Sequence, residues 1–177
     1  MKILVTGANG QLGSELRFFS SFQTQHQWVF TDLKELDLSD LQSLESNISK
    51  IAPCLIINCA AYTSVDKAES ENELANILNF KAVDLISKWS SNNNKKLIHI
   101  STDYVFDGSS ETPLKEDAVT SPINGYGFTK LKGEKACLKN DLNSIIIRTS
   151  WVYSSFGKNF VKTMIELMKK KRFNQCS

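Results

Sequence analysis

The sequence predicts an α/β fold of the Rossmann type, a doubly wound parallel sheet with helices on both faces. Three observations support this prediction. Short apolar segments alternate with amphipathic segments along the chain, which is the order that parallel β-α-β units produce. The apolar segments are nearly continuous, as expected for strands that are buried on both faces. A glycine-rich turn at residues 7–13 separates the first strand-like segment from the first helix-like segment.

The amino-terminal part of the chain supplies three strands and two helices in alternation. The strands are predicted at residues 2–6, 27–31 and 54–58, which are rich in apolar side chains. The helices are predicted from apolar residues that recur every three or four positions: Leu12, Leu16 and Phe19, then Leu41, Leu44, Ile48 and Ile51. Ser39 followed by Gln42 is a capping-box pattern, which predicts that the second helix begins there.

The remainder of the chain continues the alternation. The strongest helical stripe of the sequence comes first: Leu74, Ile77, Leu78, Ala82, Leu85, Ile86 and Trp89. Strands are predicted at residues 97–101 and 144–148, with a loop at 107–122 and a helix at 125–139 between them. A last helix is predicted from its apolar residues, Phe160, Val161, Met164, Ile165 and Met168.

Length and composition place the chain among ordinary globular domains. Its 177 residues suffice for one domain with its own core, and its formal charge of +2 gives no reason to expect a nucleic-acid partner. No apolar run approaches the roughly 20 residues that span a bilayer, and no secretory signal is evident, so a cytoplasmic protein without a membrane partner is expected. The four cysteines, Cys176 included, lack zinc-site spacing, so no metal is expected. Cys54 and Cys59 are expected in the core.

The glycine-rich turn has the spacing G-x-x-G-x-x-G, formed by Gly7, Gly10 and Gly13. Glycines there permit a tight turn, a close approach of backbone to phosphate, and close packing of a helix on a strand. The amino terminus of the following helix offers free N–H groups to a pyrophosphate. The turn therefore predicts a dinucleotide site, and its position after the first strand makes a plain structural turn the less favoured interpretation.

Asp32 ends the second predicted strand, about 25 residues after Gly7. That offset is near the one expected for an acid that binds a ribose 2′-hydroxyl, although a carboxylate in a strand-end turn fits equally well. Asp32 favours NAD, while the nearby Lys34 would suit the 2′-phosphate of NADP. The cofactor is therefore expected to be NADPH or NADH, with the choice open.

Tyr126 and Lys130 lie four residues apart in a predicted helix and therefore share a face. We expect the ammonium to lower the pKa of Tyr126, so that the phenol exchanges a proton with a carbonyl oxygen near neutral pH. Alone, the pair fits an exposed helix face better. Ser101, Thr102 and Asp103 follow a predicted strand, at the sheet edge where ligands bind in this fold, although such residues are also common in turns.

Longer segments carry a resemblance to a known family. They are GANGQLG (7–13), NCAAYTSVDKAE (58–69), STDYVFDG (101–108), YGFTKLKGE (126–134), RTSWVY (148–153) and GKNFVKTM (157–164). In this order they resemble the dTDP-4-dehydrorhamnose reductase family of the extended short-chain dehydrogenase/reductase superfamily. The resemblance implies an enzyme that transfers a hydride from NADPH or NADH to the 4-keto group of a dTDP-sugar, dTDP-4-dehydro-L-rhamnose, giving dTDP-L-rhamnose.

The resemblance also implies roles for individual residues. Thr102, Tyr126 and Lys130 would be catalytic, with Tyr126 the proton donor and Lys130 the ligand of the nicotinamide ribose. The remaining cofactor residues would be Gly7, Gly10, Gln11, Leu12 and Gly13 at the pyrophosphate, Asp32, Asp37 and Leu38 at the adenosine end, and Ala61, Tyr62 and Thr63 at the middle. The sugar would contact Thr102, Asp103 and Trp151, although Trp151 also fits a packed core aromatic.

The resemblance leaves some points open. Residues 1–177 are expected to form an NAD(P)-binding Rossmann domain, and the family's carboxyl-terminal nucleotide-sugar-binding region is absent from this sequence. A homodimer stays open, as do two other functions. One is a related nucleotide-sugar epimerase or dehydratase with tightly held NAD. The other is a non-catalytic, NAD(P)-binding regulatory subunit that resembles these reductases, against which the intact Thr102, Tyr126 and Lys130 argue.

Overall fold

A computed structural model describes residues 1–173 and contains one five-stranded parallel sheet. The strands are β1 (Lys2–Thr6), β2 (Gln27–Phe30), β3 (Leu55–Asn58), β4 (Lys96–Thr102) and β5 (Ile145–Thr149). Their spatial order is β2-β1-β3-β4-β5, and every neighbouring pair is parallel. The predicted α/β class and parallel sheet are therefore confirmed.

Six helices connect or follow these strands in the described chain. They are α1 (Gln11–Ser20), α2 (Leu44–Ile51), α3 (Asn72–Asn76), α4 (Ala82–Asn92), α5 (Gly125–Asn140) and α6 (Phe160–Phe173). A π-helical turn at Ile77–Lys81 joins α3 to α4, so the predicted stripe at 74–89 forms one continuous helical segment. The π turn itself was not predicted.

The path of the chain over the sheet changes direction after β2. The step from β1 to β2 runs opposite to the later steps, so right-handed crossovers place α1 on one face and α2, α4 and α5 on the other. Consistent with this, α4 packs against both α2 and α5. The main core lies on that second face, where Leu4 and Ile56 of the sheet join Leu44, Ile48 and Ile86 of the helices.

Two local predictions are wrong. The capping box does not form, because α2 begins at Leu44 and the Ser39 hydroxyl donates instead to the Asp37 carboxylate at 2.7 Å. Cys54 is exposed at the start of β3, and Cys59 is only half-buried. Cys176 lies outside the described residues.

Within residues 1–173, no helix is long and apolar enough to cross a membrane, and no group of three or more His, Cys, Asp or Glu could hold a metal ion.

Candidate active site

The reversal of chain direction between β1 and β3 opens a crevice at the carboxyl ends of the strands. In open α/β sheets, ligands bind at this position. The structure has a cleft of about 920 Å³ there. The glycine-rich turn and the ends of four other strands reach it, which brings together segments that are far apart in the sequence.

The three glycines of the turn have different structural roles. Gly7 has a φ of +63°, and a Cβ atom on it would lie 2.7 Å from the backbone of Ala60. A Cβ on Gly13 would lie 2.4 Å from the carbonyl oxygen of Gly7, so α1 packs directly on the turn. A Cβ on Gly10 would meet only that carbonyl oxygen, at 3.2 Å. Gly7 and Gly13 therefore serve packing, while Gly10 leaves the amino terminus of α1 open to the cleft.

Asp32 lines the cleft and also fixes the glycine turn. Its carboxylate accepts hydrogen bonds from the backbone N–H of Asn9 at 2.8 Å and of Leu33 at 2.9 Å. The carboxylate of Glu35 accepts the N–H of Asp32 at 3.0 Å, which adds a second negative charge at this end. Asp37 and Leu38 complete this wall of the cleft. Asp32 is therefore a turn carboxylate that also forms part of the cleft wall, and its contact with a ribose hydroxyl stays a prediction.

The segment after β3 contributes Ala61 and Thr63 to the cleft, but not the Tyr62 side chain. Tyr62 is buried behind the segment, where its hydroxyl donates to Glu71 at 2.7 Å. The Asn79 side chain pairs with the Tyr62 backbone, accepting from its N–H at 2.9 Å and donating to its carbonyl at 3.1 Å. Sequence reasoning missed Asn79, although its helical spacing from the apolar Ala82 and Ile86 was a usable signal.

Tyr126 and Lys130 face the cleft from the first two turns of α5. Their exposed fractions are 9% and 1%, so the interpretation of an exposed helix pair is wrong. Two side chains fix the start of this helix: Asn124 accepts the N–H of Gly127 at 2.8 Å, and Glu69 accepts the N–H of Gly125 at 2.7 Å. The Tyr126 phenol is therefore carried on a well-anchored first turn.

Burial dominates the electrostatics of this pair. It lowers the pKa of Lys130 to about 8, although the carboxylate of Glu134 opposes the effect. The Lys130 ammonium donates to the carbonyl of Ile100 at 2.6 Å. Burial also raises the pKa of Tyr126, which an interaction with the Thr102 hydroxyl partly offsets. The expected lowering of the Tyr126 pKa is therefore wrong, and the phenol keeps its proton at neutral pH.

Thr102 and Asp103 lie at the end of β4, beside Tyr126. The Thr102 hydroxyl accepts the N–H of Tyr104 at 3.2 Å and donates to the Asp103 carboxylate at 3.1 Å. The other carboxylate oxygen of Asp103 accepts the hydroxyl of Ser150 at 2.7 Å, which links the ends of β4 and β5. Thr102 and Asp103 therefore belong to a turn after a strand, as the alternative interpretation expected. Both residues also line the cleft.

Trp151 lies at the mouth of the cleft, just after β5. Its side chain is 75% exposed, which rules out a packed core aromatic. Its φ of +52° is unusual for a bulky side chain, and such conformations concentrate at functional sites. The indole makes an edge-to-face contact with Phe160, with ring centroids 5.4 Å apart.

The structure thus brings nearly all the predicted site residues to one cleft. They are Gly7, Gly10, Gln11, Leu12, Gly13, Asp32, Asp37, Leu38, Ala61, Thr63, Thr102, Asp103, Tyr126, Lys130 and Trp151. Chemically, the cleft offers backbone N–H groups to phosphates at one end and a protonated phenol beside a buried ammonium at the other.

Comparison with known proteins shows the relationship of the whole chain. A family described as the RmlD substrate binding domain matches residues 1–174. The chain belongs to this family. Among its relatives is the dTDP-4-dehydrorhamnose reductase of Salmonella typhimurium strain LT2, which is 43% identical over 176 residues. This chain aligns over 97% of its own length but spans 58% of the length of that relative. The resemblance that the sequence segments indicated is confirmed.

Solved structures agree with the RmlD assignment. A dTDP-4-dehydrorhamnose reductase from Clostridium acetobutylicum matches with a TM-score of 0.91 and 38% identity, covering 96% of this chain and 60% of that one. The reductase of Bacillus anthracis str. Ames, solved in complex with NADP, matches with a TM-score of 0.90 and 39% identity over the same shares. Both similarities therefore cover nearly all of this chain.

Proposed function

We propose that this chain is the cofactor-binding part of a reductase that transfers a hydride from NADPH or NADH to the 4-keto group of dTDP-4-dehydro-L-rhamnose. One observation carries the proposal: Thr102, Tyr126 and Lys130 lie around the same cleft as the glycine turn. In this proposal residues 1–177 are the NAD(P)-binding domain. Since the chain spans 58% of a curated relative, the remaining length of such proteins would supply further contacts to the dTDP-sugar.

The residues present fit a dinucleotide. The amino terminus of α1 directs unpaired N–H groups and its positive dipole end toward the cleft, and Gly10 places no side chain in front of them. Gln11, Leu12 and Gly13 continue this wall. Beside the turn, the carboxylate of Asp32, which accepts the N–H of Asn9, would accept a ribose hydroxyl. When bound there, NADPH or NADH supplies the hydride for the reduction.

The chain itself supplies the proton and the orientation. Tyr126 would donate its phenolic proton to the O4 oxygen as the carbonyl becomes an alcohol, a role that suits a phenol protonated at neutral pH. The Lys130 ammonium would hold the nicotinamide ribose and stabilise the phenolate that forms. Thr102 and Asp103 would contact the sugar, with Trp151 covering it from the mouth of the cleft.

The negative charge at the adenosine end bears on the choice of cofactor. Asp32 and Glu35 are joined by a hydrogen bond of 3.0 Å, and two carboxylates there disfavour a 2′-phosphate. The Bacillus anthracis relative was solved with NADP. The proposal therefore retains both cofactors, with NADH favoured by the local charge.

Titration of the chain with NADH and with NADPH, by calorimetry, tests cofactor binding directly. We expect saturable binding of at least one cofactor below millimolar concentration. Failure of both to bind at millimolar concentration would contradict the proposal. Purification with stoichiometric, non-exchanging NAD would instead favour the epimerase or dehydratase alternative.

Tyr126→Phe tests the catalytic assignment in a chain extended to the length of its relatives. The substitution keeps the ring and removes the transferable proton, so turnover of the 4-keto dTDP-sugar should fall by about 10²–10⁴-fold. The dissociation constant of the cofactor should change by less than about twofold, because the ring packing is kept. Turnover at the wild-type rate would exclude Tyr126 as the proton donor, whereas no turnover in the extended wild-type chain would favour the regulatory-subunit alternative.

A further inference from the structure

A third polar residue shares the inner face of α5 with Tyr126 and Lys130. Glu134 follows Lys130 by four residues, so the two side chains lie on the same side of the helix. Its exposed fraction is 2%, which is unusual for a carboxylate. The proposed function gives Glu134 no role.

Both oxygens of the Glu134 carboxylate are held in place. The hydroxyl of Ser101 donates to Oε1 at 2.5 Å, and Arg148 donates through Nε to Oε1 at 3.0 Å and through Nη2 to Oε2 at 2.7 Å. Ser101 and Arg148 are direct neighbours in the β4–β5 register. Arg148 is itself anchored, since its Nη1 donates to the carbonyl of Glu116 at 3.0 Å. The carboxylate therefore has a single orientation between the sheet and α5.

The surroundings of Lys130 contain few charges that could offset its burial. The described groups that act on it electrostatically come from three elements: Cys59 after β3, His99 on β4, and Glu134 and Cys137 on α5. Burial raises the pKa of each thiol to about 12, and it lowers the pKa of His99 well below the usual value. At neutral pH these three groups are uncharged. Among these groups, Glu134 therefore carries the charge that favours the ammonium.

Stability alone does not account for this arrangement. Glu134 is buried and Arg148 is one-quarter exposed, and an ion pair of this kind is often no more stabilising than apolar residues of the same volume, so stability does not explain the pair. We propose that Glu134 is a positioning residue, whose carboxylate, fixed by Ser101 and Arg148, holds Lys130 in its charged form under the cleft. This inference rests on the proposed function only for the role of the Lys130 charge in binding the cofactor.

The direct test is the titration of Lys130 in the unliganded chain, followed by the ¹³Cε chemical shift of labelled lysine. In the wild type the midpoint should lie near pH 8. Glu134→Gln keeps the shape of the side chain and removes its charge, so we expect the midpoint to fall by about one pH unit. The thiols and His99 titrate outside this window, so the change can be assigned to Lys130.

Cofactor affinity gives the second readout. With the midpoint lowered, NADH should bind to Glu134→Gln at pH 8 about fivefold more weakly than to the wild type, and with nearly equal affinity at pH 6. If the Lys130 midpoint moves but the wild type binds neither cofactor, the proposed function fails while the role of Glu134 stands. If the wild type binds NADH and the Lys130 midpoint does not move, the inference fails while the proposed function stands.

Matched variants separate charge from structure. Glu134→Asp keeps the charge and should leave the midpoint near pH 8, even where it lowers the free energy of unfolding. Cys137→Ala removes a fully buried neutral side chain three residues after Glu134 in the same helix. This variant should also leave the Lys130 midpoint unchanged. If both controls lower the midpoint as far as Glu134→Gln does, the effect is structural and the inference is overturned.

A double variant covers the case in which Glu134→Gln does not fold. Removing the carboxylate alone leaves the half-buried Arg148 without its partner, which is destabilising. Glu134→Gln with Arg148→Met removes both charges together. Because this variant also lacks the carboxylate that favours the ammonium, the midpoint should again fall below pH 8, and an unchanged midpoint would overturn the inference.

Discussion

A lysine that is 1% exposed is the most unusual single residue of this chain. Its pKa falls from 10.5 to about 8, so the folded chain holds the charged form less favourably than the unfolded chain does. One pKa unit corresponds to about 1.4 kcal/mol, so the buried charge costs on the order of 3 kcal/mol at pH 7. A structural role does not require such a cost, whereas a fixed positive charge in a ligand cleft does.

Lys130→Met should therefore stabilise the fold while weakening cofactor binding. The pKa is lower in the folded state, so the unfolded chain binds more protons between about pH 8 and 10.5, and wild-type stability rises through that window. We expect the free energy of unfolding of the Met variant to exceed that of the wild type by about 1–3 kcal/mol at pH 7. The difference should be smaller at pH 10.5. Urea denaturation at the two pH values measures both. A variant that is less stable at pH 7 would contradict this account of the charge.

The sequence predicted the relative positions of these residues better than their environment. Helical spacing places Tyr126 and Lys130 on one face, and the same four-residue spacing pointed to Glu134, which sequence reasoning left out. Their burial could not be predicted, because it depends on how α5 lies against β4. For that reason the pKa of Tyr126 was expected to fall, whereas burial raises it.

At the level of elements, different glycines of the glycine turn serve the packing of α1 and the proposed binding of the cofactor. Gly13→Ala would place a Cβ 2.4 Å from the backbone of Gly7, so α1 must shift, and we expect a loss of about 1–3 kcal/mol in the free energy of unfolding. Gly10→Ala meets only one atom, at 3.2 Å, and should cost less than about 1 kcal/mol.

Cofactor affinity should distinguish the same two variants. Gly10→Ala places its methyl group where the pyrophosphate must approach the backbone, so binding should weaken although the fold is nearly unaffected. Thermal unfolding and cofactor titration of both variants provide the comparison. Equal losses of stability would show that Gly10 is also a packing glycine.

The regular elements of this fold were predictable, and the irregular ones were not. The strands follow from continuous apolar runs, and β1 was predicted with its observed bounds, Lys2–Thr6. The π turn at Ile77–Lys81 leaves the apolar stripe unbroken, since it changes backbone hydrogen bonding and not composition. The start of α2 was misplaced because Ser39 bonds the local turn instead of a helix end.

At the scale of the whole molecule, exposed apolar side chains are frequent from β5 to α6. This strand pairs only with β4 among the described residues, so its other edge is open. Ile145 and Ile147 on the strand are exposed, as are Phe160 and Ile165 on α6. An open edge strand that itself carries exposed apolar side chains is a site where chains associate.

Ile145→Lys should therefore lower self-association of the isolated chain without affecting the cleft. Ile145 lies at the start of β5, whereas the cleft lies at the carboxyl ends of the strands. A lysine on the open edge disfavours pairing with a second chain. Light scattering against protein concentration measures the effect. Val119→Lys is the matched control, since Val119 is exposed on a separate loop and its substitution should leave the scattering unchanged.

The exposed indole of Trp151 gives the cleft an optical signal of its own. Of the three tryptophans, Trp151 alone lines the cleft and is exposed, while Trp89 is buried and Trp28 is half-buried. Iodide should therefore quench mainly the emission of Trp151, and Trp151→Phe should remove most of the quenchable fraction. A nucleotide or dTDP-sugar that enters the mouth of the cleft should shield the indole from iodide. The degree of protection then reports occupancy in a chain that has no measurable turnover.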